Sequence, residues 1–408
     1  MLSLLRWRSG ARAWPRLIQL GVCSAAFLSA LCLLGACRTD TPGRLDPALA
    51  GRTLATYAEL ASANYRDVVS STRALQRALD TLIVDPSEQT LALARVAWQR
   101  ARVPYAQSEV FRFYGGPIDR VELLVNTWPI DENYVEGASD STDKGVIDDP
   151  QRYPDLTPEL LVSLNGRGET SISTGYHVIE FLLWGADLSE TGPGTRPASD
   201  FVARADDPRP ARRCRYLQLV GALLVQHLEQ VEAAWRADGP SNYRSEFLQR
   251  PAHQALGLAL RGMGALSGPE LSGERLTVPY ETRDQENEHS CFSDTTRDDL
   301  VNDALGLQNV CMGRYAGLGR SLRGPGLCAL LERVDGELGR TLTRQIDESV
   351  AAARAIPSPF DSALLGPDEG AGRRAIKQTI LSLESVTATL ARAASLLGVA
   401  AQLARSKP

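Results

Sequence analysis

A histidine and a glutamate three residues apart are the side chains of this sequence best suited to chemistry. His177 and Glu180 lie in the stretch 172–187, ISTGYHVIEFLLWGAD, whose other residues are mostly apolar. On an α-helix, residues i and i+3 share a face, so the two side chains lie one above the other. A helix that is apolar all round is typically buried. A buried imidazole and carboxylate are costly unless they are hydrogen-bonded, paired or bound to a metal ion.

This pair alone does not distinguish a structural hydrogen bond from a metal site. A zinc-protease helix carries two histidines one turn apart with a glutamate between them, whereas this stretch has one histidine. It supplies at most two ligands, while a structural zinc takes four protein ligands and a catalytic zinc usually three. Any further ligands must come from other parts of the fold. Ser171 or Thr174 is the predicted helix cap, and Gly185 the predicted helix end.

Two further polar stretches compete with this helix. In YAQSEVFRFYGGPID, residues 105–119, Glu109 and Arg112 are again i and i+3 on an otherwise apolar helix. They form either part of a site or an ion pair that ties the core together. Residues 126–134 place Asp131 and Glu132 after a Trp-Pro turn, where a solvated loop is the favoured interpretation.

The stretch ENEHSCFSD, residues 286–294, is the second candidate site. Its metal-capable or polar side chains are Glu286, Glu288, His289, Cys291, Ser293 and Asp294. This density favours a ligand site, and the alternative is a capped, disulfide-tied start of a helix. His227 and His253 lie in amphipathic stretches without an acidic residue at ligand spacing, so we interpret both as structural.

The first 36 residues predict an export signal. Four arginines precede an apolar run that closes as Leu-Gly-Ala before Cys37, which resembles a bacterial lipobox. We therefore predict cleavage before Cys37, a lipid on that cysteine and a tether over residues 37–50. An uncleaved anchor helix is the alternative. Arg38 gives no sign of inner-membrane retention, so the predicted location is the outer membrane, facing the periplasm or the cell surface.

Charge argues against a nucleic-acid partner. The whole chain has 44 basic and 49 acidic residues, and the first 36 residues contain four arginines and no acidic residue. The predicted mature chain therefore keeps 40 basic residues against 49 acidic ones, a net charge of −9. A moderately acidic domain does not attract phosphate backbones. It is compatible with a protein that handles cations.

Hydrophobic periodicity predicts an all-α protein. Helical spacing recurs along the mature chain, and we find no convincing strand alternation or hairpin. The length suggests two domains. Asp-Gly-Pro-Ser at 238–241 is the candidate boundary, giving one helical bundle over 51–239 and another over 240–408. An oxidising location permits disulfides. The four cysteines beyond Cys37 allow three pairings, and the sequence does not choose among them; one hypothesis pairs Cys311 with Cys328, which a short stretch separates, and leaves Cys214 with Cys291.

Several of these stretches together resemble the imelysin-like proteins, peptidase family M75. GYHVIEFLLWG is similar to the family's GxHxxE motif. The stretches YAQSEVFRFYGGPID, NTWPIDENYV, GTRPASDF and ENEHSCFSDTTRDDLVNDALGLQNVCMGRY resemble imelysin segments in the family's order. The resemblance extends from about residue 50 to the end of the chain. It implies two helical bundles packed side by side, with the GxHxxE helix at a cleft between them.

The resemblance also implies site residues and a role in bacterial iron uptake. Gly175, His177 and Glu180 match the motif, while Glu109 and Arg112 match the first polar segment, and Ser293 and Asp294 the later one. We expect the metal ligands to be His177, Glu180, Glu109 and Asp294. Arg112, Gly175, Ser293 and His289 are the expected ligand-binding residues. Nitrogen and carboxylate donors suit iron or zinc.

Three functions remain open at this stage. The first is a metal-binding protein, with iron as the expected metal, a lipid anchor in the membrane and an iron-uptake transporter as a possible partner. The second is a binding module for a non-metal ligand or a surface partner. The third is a metallopeptidase, in which Glu180 or Glu109 would activate water on zinc. The peptidase is the least favoured of the three because the ligand set is small and the chain has no GxSxG-type nucleophile.

Overall fold

Helices form nearly all the regular structure, which confirms the all-α prediction. The structure is a computed structural model that describes residues 45–137, 144–168, 170–239, 241–319 and 321–399. The helices are α1 Pro47–Val84, α2 Glu88–Ser108, α3 Glu122–Val125, α4 Glu132–Val135, α5 Pro158–Leu164, α6 Tyr176–Trp184, α7 Arg209–Trp235, α8 Tyr243–Gln249, α9 Ala252–Ala265, α10 Val278–Thr282, α11 Thr296–Met312, α12 Leu327–Val334, α13 Gly336–Ala355, α14 Phe360–Leu364 and α15 Ala371–Leu396. Short 3₁₀ segments are Glu109–Phe111, Ile118–Arg120, Ala198–Phe201 and Gln285–Asn287.

The long helices pack as two neighbouring bundles. In the first, α1 runs along α2 and α7, and α6 packs against α2 and α7. In the second, α13 packs against α11, α12 and α15. Because α11 also packs along α2, the two bundles lie side by side. The division at residues 239 and 240 stays a prediction.

Local sequence signals explain where several helices begin. Asp46 caps α1 by accepting a hydrogen bond from the Ala48 N–H, with Pro47 at the first helical position. α1 therefore begins inside the predicted tether. Ser87 and Thr90 form a capping box at the start of α2, and Thr157 caps α5.

Three expectations from periodicity need correction. The glycines and prolines of residues 268–279 predict a loop, but Leu266–Thr277 forms a π-helical segment that packs against α15. The short antiparallel pair β1 Arg314–Ala316 and β2 Ser321–Arg323 differs from the absence of hairpins predicted above, since three-residue strands carry too little alternation to detect. Apolar periodicity predicts a last helix over residues 371–404, whereas the observed helix ends at Leu396.

The cysteine prediction is half right. Cys311 and Cys328 form a disulfide with a Cα–Cα distance of 4.8 Å, as expected. The Cys214–Cys291 pairing is wrong, because both are free thiols in separate surroundings. The predicted signal peptide and Cys37 lie outside the described residues. Among residues that the structure does describe, none of the helices is long and apolar enough to cross a membrane.

Candidate functional site

The helix α6, which carries the histidine–glutamate pair, has a glycine at each end. Gly175 caps its start with φ 101°, a conformation that L side chains rarely adopt, and a Cβ there would lie 2.6 Å from the Val125 carbonyl oxygen. Gly185 ends the helix with φ 76°, as predicted. The cap prediction for Ser171 or Thr174 is wrong, because the Thr174 hydroxyl donates to the Leu124 carbonyl instead. All nine residues of α6 are buried.

The predicted contact within α6 is present. Nδ1 of His177 and Oε2 of Glu180 share a hydrogen bond of 2.9 Å, and both side chains are buried. The other glutamate oxygen, Oε1, accepts from the backbone N–H of Ser293 at 3.0 Å and from its hydroxyl at 2.6 Å. Nε2 of His177 is buried and has no hydrogen-bond partner among the described residues. Both carboxylate oxygens of Glu180 are thus engaged, while one imidazole nitrogen is available.

A second histidine faces the first. The ring centroids of His289 and His177 are 4.6 Å apart in an edge-to-face arrangement, and we refer to the two as the histidine pair. Nδ1 of His289 is 2.8 Å from Oδ2 of Asp299. Asp299 in turn accepts two hydrogen bonds from the Arg102 guanidinium, at 3.1 and 2.9 Å. A carboxylate therefore orients each ring through Nδ1.

Burial controls the protonation of this pair. It lowers the pKa of His177 well below the ordinary value, an effect to which His289 adds, and it lowers the pKa of His289 to about 4. Both imidazoles are therefore neutral at pH 7. Burial also raises the pKa of Glu180 to about 8, against the opposing effect of the Ser293 hydrogen bond. Burial acts to raise the pKa of Asp299 too, but Arg102 and His289 hold that pKa well below its usual range.

A polar cleft of about 380 Å³ opens beside His289. Its lining includes Trp128, whose ring packs against both His177 and Phe292. Five charged residues also line it: Arg112, Glu122, Glu270, Glu274 and Arg275. His177 lies behind this lining, in contact with two of its members, so the histidine pair reaches the cleft through His289.

The second predicted pair, Glu109 and Arg112, is also in contact, and it belongs to a larger set that we call the arginine cluster. Nη1 of Arg112 donates to Oε1 of Glu109 at 2.9 Å, and Arg275 lies 2.6 Å from the other oxygen. The arginine cluster consists of Arg112 and Arg275 with four carboxyl groups: Glu109, Glu122, Glu270 and Asp303.

Within the arginine cluster, the two arginines act to lower the pKa values of the carboxyl groups that they contact. Burial acts to raise the pKa of Glu109, but Arg275 and Arg112 lower it well below the ordinary value. Burial raises the pKa of Glu122 to about 7, although Arg112 opposes this rise. Since every guanidinium here already contacts carboxylates, Arg112 holds protein carboxylates in place rather than presenting a free positive charge.

The structure does not gather the four predicted metal ligands. His177 and Glu180 are in contact, but Glu109 lies in the arginine cluster. Asp294 lies with Asp187 and Asp361, from each of which one carboxylate oxygen comes within 4.8 Å of the others. Of the other predicted residues, Ser293 holds Glu180 and His289 faces His177. Gly175 supplies a backbone conformation that other residues would strain.

Sequence analysis did not single out Arg102, Arg275 or Asp299. One sequence signal could have indicated Arg102: it precedes Glu109 by seven residues, which is two helical turns on the same face. In the structure, Asn126 bridges the two side chains by hydrogen bonds. Arg275 was hidden because its segment was expected to be a loop. Asp187 and Asp361 carry no local signal, since their neighbours in the cluster are distant in sequence.

The fold and this site define a class: an all-α protein with a buried GxHxxE helix whose histidine–glutamate pair contacts the turn before α11. The sequence profile of the Imelysin family, peptidase M75, matches residues 61–390, so the chain belongs to this family. It is 25% identical over 344 residues to iron-regulated protein A of Synechococcus elongatus, covering 81% of each chain.

Solved structures share the fold. One, from Parabacteroides distasonis, is provisionally named an iron-regulated protein A precursor. It has a TM-score of 0.69 at 20% identity, with coverage of 88% of this chain and 97% of that one. An imelysin-like protein from Psychrobacter arcticum has a TM-score of 0.63 at 16% identity, with coverage of 87% and 98%. At these identities the likeness concerns the fold.

Proposed function

We propose that this protein is an exported, lipid-anchored imelysin that binds a metal ion, with iron as the expected metal, at the histidine pair as part of bacterial iron acquisition. The observation that carries the proposal is the buried Nε2 of His177, which has no hydrogen-bond partner in the described chain. A buried nitrogen without a partner costs free energy, and a bound metal ion would remove that cost.

The chemistry of the pair supports this proposal. Metal-binding histidines are neutral and usually have their second ring nitrogen fixed by a carboxylate. His289 meets both conditions through Asp299, and His177 is held in the same way by Glu180, whose carboxyl group, with a pKa of about 8, would give up its proton when a cation binds. Glu122 and Glu270 line the cleft beside His289, but both contact Arg112, so an oxygen donor from either would have to leave its ion pair. Nitrogen with oxygen donors suits iron, and zinc is the second candidate.

The similar proteins support the proposed role in iron acquisition. The curated relative is named for iron regulation, and the chain spans most of its length. The lipobox-like sequence at Cys37 supports a lipid anchor in the outer membrane, and an iron-uptake transporter is the partner we propose.

Metal titration tests the proposal. The purified protein, freed of metal, is titrated by calorimetry with ferrous, ferric and zinc ions, alongside His177→Ala and His289→Ala. We expect near-stoichiometric binding in the wild type and an affinity at least about tenfold lower in each variant, the lower bound for perturbed metal sites. Circular dichroism checks that both variants keep their helix content.

His253→Ala is the matched control, because His253 is exposed and no acidic residue holds it in the structure. This variant should bind the metal ion as the wild type does. Equal affinity in the wild type and His177→Ala would contradict the proposal. Iron binding that is lost in Asp361→Asn but kept in His177→Ala would move the iron site away from the histidine pair.

A further inference from the structure

A second group of buried carboxyl groups lies apart from the histidine pair, and we call it the acidic cluster: Asp187, Glu288, Asp294 and Asp361. Three segments that are distant in sequence form it. Asp187 follows the end of α6, Glu288 and Asp294 lie in the turn before α11, and Asp361 is in α14. One oxygen from each aspartate lies within 4.8 Å of the others.

Three of its four carboxyl groups have no hydrogen bond of good geometry. Asp361 and Glu288 are completely buried, and Asp294 is 7% exposed. No oxygen of these three groups accepts such a bond from a described residue, although the Thr296 side chain lies close enough to Glu288 to act against the rise of its pKa. The carboxyl group of Asp361 instead lies against those of Glu288 and Asp294. Fully buried carboxylates that point at one another and accept no hydrogen bond call for a positively charged partner.

The described residues supply no such partner from their side chains. Among the ion pairs of the described residues, none involves a member of the acidic cluster. Asp187 accepts hydrogen bonds from the Ser189 backbone N–H and the Gln285 side chain, both neutral. Without a cation, adjacent carboxylates must hold protons to avoid repulsion.

We propose that the acidic cluster binds a hard divalent cation, and that calcium is the ion that fits. All its donors are oxygens, the ligands that calcium and magnesium take. Across a calcium ion with bonds of 2.3–2.6 Å, opposite oxygens are roughly 4.6–5.2 Å apart, compared with roughly 4.2 Å across magnesium. The three aspartate oxygens lie within 4.8 Å of one another, close enough to be ligands of one ion, so the choice of calcium rests on the chemistry of the ligands. Magnesium also demands near-ideal octahedral geometry and gives up its water reluctantly, whereas calcium accepts several carboxylates in irregular arrangements.

A calcium ion here would join three parts of the chain. It would tie the end of α6 to the turn 286–294 and to α14, so that unfolding of any of the three would release the ion. This site shares no residue with the histidine pair. The two proposals can therefore fail independently.

The test is calcium-dependent thermal stability. The purified protein is treated with EDTA, exchanged into buffer at pH 7.5 and heated at increasing concentrations of calcium or magnesium chloride. Binding to the native state alone raises Tm with ligand concentration. We expect calcium to raise the Tm of the wild type and calorimetry to show one ion per chain.

Asp361→Asn and Asp294→Asn are the informative variants. Asparagine keeps the shape and removes the charge, and it suits the left-handed backbone of Asp294, φ 55°. We expect calcium affinity at least about tenfold lower in each. In EDTA, each should melt no lower than the wild type, because a carboxyl group without a cation gains nothing from its neighbours. A misfolded variant would instead melt lower in EDTA.

Two controls complete the design. Asp67→Asn removes a carboxylate that has hydrogen-bond donors, from Tyr315 and the Leu318 N–H, and should respond to calcium as the wild type does. His177→Ala should also keep its calcium response. The proposal is overturned if millimolar calcium leaves the wild-type Tm unchanged, if both Asn variants respond fully, or if magnesium acts as strongly as calcium.

Discussion

Among the residues that the structure describes, the arginine cluster and the acidic cluster contain the same kind of buried acid in opposite surroundings. In the arginine cluster, Glu109 contacts Arg112 and Arg275, and its pKa is lowered. In the acidic cluster, burial raises the pKa of Asp294 to about 8, and Asp361 and Asp187 add to the rise. A buried carboxylate therefore takes its charge state from its neighbours, and burial alone does not determine it.

This difference distinguishes carboxylates that hold the protein structure in place from carboxylates that can bind an ion from solution. Carboxylates already neutralised by arginines are satisfied within the protein, and they fix the wall of the cleft. Carboxylates without such partners must take up protons or a cation from solution, which makes them sensitive to pH and to metal ions. The histidine pair lies between these cases, since each Nδ1 is held and one Nε2 is left available.

The largest effect should come from breaking the arginine cluster. Arg275→Met leaves Glu109, Glu270 and Asp303 without their shared guanidinium. We expect the free energy of unfolding to fall by about 3–5 kcal/mol, the usual loss when one partner of a buried ion pair is removed. Urea denaturation measures this loss.

Arg73→Met is the control for that experiment. Arg73 pairs with Glu229 on the surface, where both side chains are more than a third exposed. We expect Arg73→Met to lower the free energy of unfolding by less than about 1 kcal/mol. Equal losses in the two variants would mean that Arg275 acts through packing rather than through its charge.

The acidic cluster should respond in the opposite direction. In metal-free protein at pH 8, we expect Asp294→Asn to raise the free energy of unfolding by at least about 1.4 kcal/mol, the value of one pKa unit, because the folded-state pKa of about 8 lies far above the unfolded one. The gain arises because the variant no longer has to protonate or expose this carboxyl group. Urea denaturation in EDTA checks the result, and a loss of stability would show that the charge of Asp294 is already compensated.

A further prediction concerns how the free energy of unfolding changes with pH. The Asp294 carboxyl has a pKa near 3.9 when unfolded and about 8 when folded. Between these values only the native state holds the proton, so the free energy of unfolding falls as pH rises. Asp187, with a pKa of about 6, contributes in the same direction over the lower part of this range.

Unfolding experiments at pH 6, 7 and 8 in EDTA measure this slope. Asp294→Asn should reduce it, and saturating calcium should reduce it further by replacing the protons. Glu109 should add little here, because its lowered pKa makes its contribution fall only on acidification below about pH 4, whereas Glu122, with a pKa of about 7, adds to the slope up to that pH. An unchanged slope in Asp294→Asn would assign the pH dependence to other buried acids.

Sequence spacing predicted the contacts that lie within one helical turn. The pairs His177–Glu180 and Glu109–Arg112 are both i and i+3, and both are in contact. The partners of Asp294 could not be predicted in this way. Asp187 and Asp361 reach it from other segments, 107 residues before and 67 residues after it in the sequence. Such contacts depend on how α6, α11 and α14 are placed together, which local periodicity does not encode.

The two glycines that bracket α6 also fix its length. Gly175 and Gly185 both have positive φ, which is not helical, so the helix runs only between them. Each added residue rotates a helix by 100° and lengthens it by 1.5 Å. One residue inserted after Gly175 would therefore turn the His177–Glu180 face away from Ser293 and His289. The number of residues between the glycines is thus as much a requirement of this motif as the identities of its histidine and glutamate.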